Sequence, residues 1–80
     1  MTIATDVDGR IREVMGDILE VDPAAVGEGS LRDSMPSWDS LNHLRLVSAL
    51  EEAFGIRFTM REVGELDGFE TIRRKVSERV

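Results

Sequence analysis

The chemically informative run of this chain is Trp38-Asp39-Ser40-Leu41, which stands where a long connection gives way to a helical pattern. A serine at such a junction is exposed and free to reach another protein's active site. A phosphate ester formed on its hydroxyl would sit at a helix amino terminus, where free N–H groups and the helix dipole favour negative charge. His43 follows three residues later, which raises the question of a Ser-His nucleophilic pair. No third group is evident to orient such a pair, and the projected helical angle turns His43 toward the core, so it reads as a boundary histidine. The chain has no cysteine, which excludes a disulfide framework, a thiol nucleophile and a Cys-based zinc site. Thiol chemistry would have to come from a cofactor, and no metal site is expected.

The elements that must position Ser40 are helices. Val7, Ile11, Val14 and Ile18 recur at helical spacing opposite Arg12, Glu13 and Asp17, predicting a first helix over 5–20, with Thr5 and Asp8 resembling a capping pair. A second helix is predicted over 39–54. It opens at Asp39 or Ser40, and Gly55 followed by apolar Ile56 fits a left-handed carboxy-terminal cap. At about 100° per residue, Leu46, Val47, Leu50 and Phe54 share one side, while Leu41, Leu44 and Ser48 lie nearly opposite. One stripe packs and the other stays available.

Thr59-Met60-Arg61-Glu62 reads as a capping box opening a short third helix over 59–63, ended by Gly64. Asp67-Gly68-Phe69-Glu70 offers the same arrangement for a fourth, over 67–79. Phe69, Ile72 and Val76 face inward, and Arg73, Arg74, Lys75 and Arg79 form a solvated basic end that suits the dipole. The eighteen residues from Val21 to Trp38 are a long connection for a compact domain. They are read as functional or as packed by their own Val26, Leu31 and Met35. Met15, Met35 and Met60 read as gap-fillers or exposed residues. The expected core is Ile11, Val14, Ile18, Leu46, Leu50, Phe54, Phe58, Leu66, Phe69, Ile72 and Val76.

Composition narrows the function classes. Eighty residues make one domain at most and bury about 60% of the unfolded surface, which argues against a large active-site cleft. Ten basic against sixteen acidic side chains give a net charge of −6, which disfavours nucleic acid and suits basic protein partners. At 41% hydrophobic, the chain is too apolar for a disordered acidic segment. No apolar run approaches the roughly 20 residues that span a bilayer, and the amino terminus lacks a signal-peptide profile. The expected protein is cytoplasmic, without a membrane partner, and monomeric.

Around Asp39-Ser40-Leu41 the chain resembles the acyl carrier protein family, whose attachment motif Asp-Ser-Leu opens the second helix of a four-helix bundle. The run Leu46-Val47-Ser48-Ala49-Leu50-Glu51-Glu52-Ala53-Phe54-Gly55-Ile56 is similar to that family's second helix and its exit. Helix order, loop length and total length match as well, so the resemblance covers roughly residues 8 to 78. It implies an all-α four-helix bundle of acyl-carrier type: three longer helices, one short third helix and a long first loop, in a free-standing carrier domain over 1–80. It further implies that Ser40 accepts 4′-phosphopantetheine from coenzyme A through a phosphopantetheinyl transferase. The protein is then no enzyme. It holds acyl intermediates as thioesters and presents them to acyl-transferring and acyl-modifying enzymes of fatty-acid or polyketide-type biosynthesis.

Asp39 matches the family's acid beside the serine, read either as helping to position the transferase's metal-bound coenzyme A or as the helix cap alone. Leu41 and Leu44 are read as partner contacts, and Trp38 as a lid over the loop or a partner contact. Two departures bear on partner choice. Pro36-Ser37-Trp38 replaces the Gly or Leu-Gly that often precedes the motif, and Asn42, His43 and Arg45 stand where many members carry acids. The reading that follows is a carrier in a specialised pathway, with Arg45 contributing to partner recognition. A peptidyl or aryl carrier protein of a nonribosomal peptide pathway is the alternative, against which the absence of Leu-Gly-Gly before the serine counts. A helical interaction module with no arm is the third.

Overall fold

The computed structural model describes residues 7–27 and 29–80. Four α-helices follow one another as α1 (Val7–Leu19), α2 (Ser40–Phe54), α3 (Met60–Glu65) and α4 (Phe69–Ser77), with short 3-10 turns at Pro23–Ala25 and Arg32–Ser34 in the first connection. Among the described residues there is no strand, and the architecture is the all-α arrangement read from the sequence. The capping pair expected at the start of α1 involves Thr5, which lies outside the described residues.

Cap chemistry accounts for both ends of α2. Asp39 is its N-cap, with an extended backbone and a carboxylate that accepts from the Asn42 N–H at 2.9 Å. At the other end Gly55 adopts φ 65 and ψ 38, a left-handed conformation that costs a residue with a Cβ about 1–2 kcal/mol. Its N–H and that of Ile56 both return to the Glu51 carbonyl. In α3 the reciprocal capping box of Thr59 and Glu62 is present. Its helix runs through Gly64 to Glu65, one turn-half longer than expected, because glycine weakens a helix without forbidding it.

The start of α4 differs from the expectation. Gly68, not Asp67, is its N-cap, with no side-chain cap bond, and the Asp67 carboxylate instead accepts from the Thr71 hydroxyl at 2.9 Å. Tertiary pairing takes precedence here. An isolated antiparallel bridge joins Leu31 to Gly68: the Phe69 N–H donates to the Ser30 carbonyl at 3.0 Å and the Arg32 N–H to the Asp67 carbonyl at 2.8 Å. A Cβ at position 68 would stand 2.8 Å from the Ser30 oxygen, so the approach of the two backbones requires glycine.

α1 packs on both α2 and α4 around Ile11, Val14, Leu46, Leu50, Phe69, Ile72 and Val76, all buried as expected, with Leu66 beneath α3. Ile18, Phe54 and Phe58, expected in this core, are only partly buried at its edge. Phe54 lies in the last turn of α2, and Phe58 follows in the connection, its ring covered by the Arg79 guanidinium at 5.5 Å. Their places are taken by Met15, Leu19, Val47, Val26 and Trp38. Val26 fixes the long connection, because Arg12 donates through Nε to its carbonyl at 3.0 Å while stacking over the Phe69 ring. Of the other two loop residues expected to pack, Met35 is partly buried and Leu31 is half exposed.

Candidate attachment site

The first N–H groups of any helix lack intrahelical partners, and α2 disposes of its own in a specific way. The Asn42 N–H is taken by the Asp39 carboxylate and the His43 N–H by the Asp39 carbonyl. Those of Ser40 and Leu41 are left for solvent or for an anion attached at the helix end. Ser40 is the first residue of the helix and is exposed.

Three side-chain ties fix the junction that carries it. Asp39 caps Asn42, as above. Asn42 reaches back through Nδ2 to the Ser37 carbonyl at 2.8 Å. Trp38 Nε1 donates to His43 Nδ1 at 2.9 Å, the two rings lying 6.1 Å apart and inclined by 26°. Because the indole N–H can only donate, Nδ1 is the accepting nitrogen of a neutral ring, and Nε2 carries the proton it gives to the Val63 carbonyl at 2.7 Å. Both nitrogens of His43 are therefore engaged away from Ser40. The ring is a buried structural partner and not a base for the hydroxyl, in keeping with the inward angle read from the sequence.

Trp38 itself requires correction. It is 3% exposed and belongs to the core, which removes it from the partner-contact surface. The Trp38–His43 pair was missed from sequence, although its spacing was available: the two occupy N′ and N4 of α2, the positions of a hydrophobic staple. Leu41 and Leu44 are 59% and 58% exposed, and Arg45 beside them is exposed as well. They lie on the helix that begins at Ser40, on the side turned from the core residues Leu46, Val47 and Leu50.

The donor set suits a phosphate ester on the Ser40 hydroxyl. The oxygen is accessible, two backbone N–H groups lie at the helix end, and the neighbouring carboxylate is occupied as a cap. Among the described residues no cluster of three histidine, aspartate or glutamate side chains could hold a metal ion, and no helix is long and apolar enough to cross a membrane. A family model described as a phosphopantetheine attachment site matches residues 9–74.

Proposed function

The chain belongs to the phosphopantetheine attachment-site family and is a carrier bearing a covalently attached 4′-phosphopantetheine, and we propose that Ser40 is the residue that takes this arm. The observation that carries the assignment is an exposed serine at the first position of α2, beside backbone N–H groups free to face an anion. The arm supplies a thiol, which this cysteine-free chain lacks, and on it acyl groups are held as thioesters. Ser40 supplies the hydroxyl oxygen, the helix end favours the phosphate charge, and Asp39 holds the first turn in shape. From the family resemblance, a second role is proposed for Asp39 in helping a transferase position metal-bound coenzyme A. Carrier domains of this family are generally non-catalytic, and tethering raises the effective concentration of cargo at successive enzymes.

The test is intact mass after incubation with coenzyme A and a broad-specificity phosphopantetheinyl transferase. One arm should be added to the wild type and none to Ser40→Ala, which keeps its fold. An alanine variant that still gained the arm's mass would remove the assignment.

Leu41, Leu44 and Arg45 are the proposed partner face, and the pathway is of the fatty-acid or polyketide type, in a specialised branch. Support comes from two exposed leucines and a cation on an acidic protein, since exposed charges chiefly set encounter rate and discrimination between partners. Arg45→Glu should improve acyl transfer from a housekeeping malonyl transferase and impair transfer from the cognate enzyme, both effects shrinking at high salt. Unchanged rates with both enzymes would end the dedicated-partner reading. Loading by an adenylating enzyme with an aminoacyl group would favour the peptidyl carrier alternative.

A further inference from the structure

Trp38 and His43 bracket the candidate serine in sequence and meet in space. With Asp39 as N-cap, Trp38 is N′ and His43 is N4, the pair of positions whose contact fixes the angle at which a chain enters its helix. An ordinary staple is an apolar contact and tolerates sliding. Here the contact is also a directional hydrogen bond of 2.9 Å between two buried groups. The same histidine bonds the Val63 carbonyl in α3 at 2.7 Å, so the entry angle of α2 is referred to a separate helix. Asn42, at N3, adds a second tie from the helix to the preceding loop through the Ser37 carbonyl. Ser40, at N1, lies inside this closed set of contacts and takes no part in any of them.

We infer that Trp38 and His43 are positioning residues for arm transfer: they set the place and direction of the Ser40 hydroxyl that a phosphopantetheinyl transferase must meet. This rests on the carrier reading with Ser40 as acceptor. Loss of the indole N–H should displace the serine without removing it. The expected cost is a three- to tenfold fall in kcat/KM, about the size of one net hydrogen bond.

The experiment compares wild type, Trp38→Phe, His43→Asn and His43→Phe in arm transfer from coenzyme A by a broad-specificity transferase. Rates are followed by intact mass and compared at equal folded fraction by circular dichroism. Trp38→Phe should lose about three- to tenfold because it deletes the donor, and His43→Phe at least as much because it deletes both the acceptor and the Nε2–H that bonds Val63. His43→Asn should lose less than His43→Phe, since its Oδ1 replaces Nδ1 as acceptor for the indole and only the Val63 tie is lost. The chain has one tryptophan and one histidine, so nuclear magnetic resonance reads the pair without assignment. The indole N–H should be protected from exchange in wild type and His43→Asn and unprotected in His43→Phe, with Nδ1 unprotonated in wild type. Should Trp38→Phe fail to fold, the two histidine variants decide by the same comparison. Equal rates in all folded variants, or a protonated Nδ1 in wild type, would overturn the positioning role while leaving Ser40 as acceptor. Absence of arm transfer to wild type would overturn both.

Discussion

α3 and α4 are neighbours in the chain, yet α4 sinks Phe69, Ile72 and Val76 completely out of solvent while α3 buries no residue at all. Polar ties supplement the partly buried Val63 in holding α3. His43 bonds the Val63 carbonyl, Lys75 pairs with Glu65 at 3.2 Å, and Arg79, just past the end of α4, donates to Glu62 at 2.6 Å. The difference separates two kinds of stability. Apolar burial scales with area removed from water and is lost only by global unfolding, whereas exposed charged ties are modest, screened by salt and able to open locally. α4 is thus part of the foundation, and α3 is a piece fastened to it.

The largest effect that could break this comparison is expected in α4. Ile72→Ala removes a fully buried side chain and should cost about 2–5 kcal/mol in denaturant melts, enough to threaten a domain of this size. Phe54→Ala should cost less, about 1–2 kcal/mol, since its ring is only partly buried and cavity costs follow burial. If the two losses were equal, the edge of the core would be doing the same work as its centre.

The smallest effect concerns α3 and acid. The Arg79 guanidinium, then the Thr59 N–H and the charge of Lys75, pull the Glu62 carboxyl from its ordinary 4.5 down to about 2, against the opposing pull of desolvation. A depressed acid contributes stability above its unfolded value and loses it as pH falls through the folded one. The α3 tie should therefore weaken between about pH 4.5 and 2. Amide exchange at Val63 and Leu66 should rise across that window while Ile72 stays protected, and Glu62→Gln should abolish the step. Simultaneous loss of protection in both helices would mean they form one cooperative unit.

Legibility from sequence followed the range of the interactions. The limits of α2 and the capping box of α3 were readable because Asp39, Gly55, Thr59 and Glu62 act on groups three or four residues away. Position 40 at the head of a helix came from the same local chemistry. The start of α4 was misread because its first turn answers to Ser30 and Leu31, far off in the chain, and not to Asp67. Helical phase placed Leu50 and Ile72 correctly but could not tell that Phe54 lies at the rim, and Phe58, in the connection, has no helical phase to read. Trp38 was ambiguous for a related reason: its burial depends on His43 and Val63 lying beneath the loop together.

The bridge between Leu31 and Gly68 also has a bearing on the order of events during folding. Contacts between residues distant in sequence carry the larger loop-closure cost and form late relative to local helices. The loop leading to Trp38 is completed by the backbone at the head of the final helix, so its last constraint arrives when α4 docks. In refolding experiments the fluorescence of the single tryptophan should settle no earlier than the helicity of α4. An earlier settling would show that the loop closes on its own. A chain with α4 still undocked would offer a transferase a loosely held Ser40, and arm addition would then favour molecules whose folding is complete.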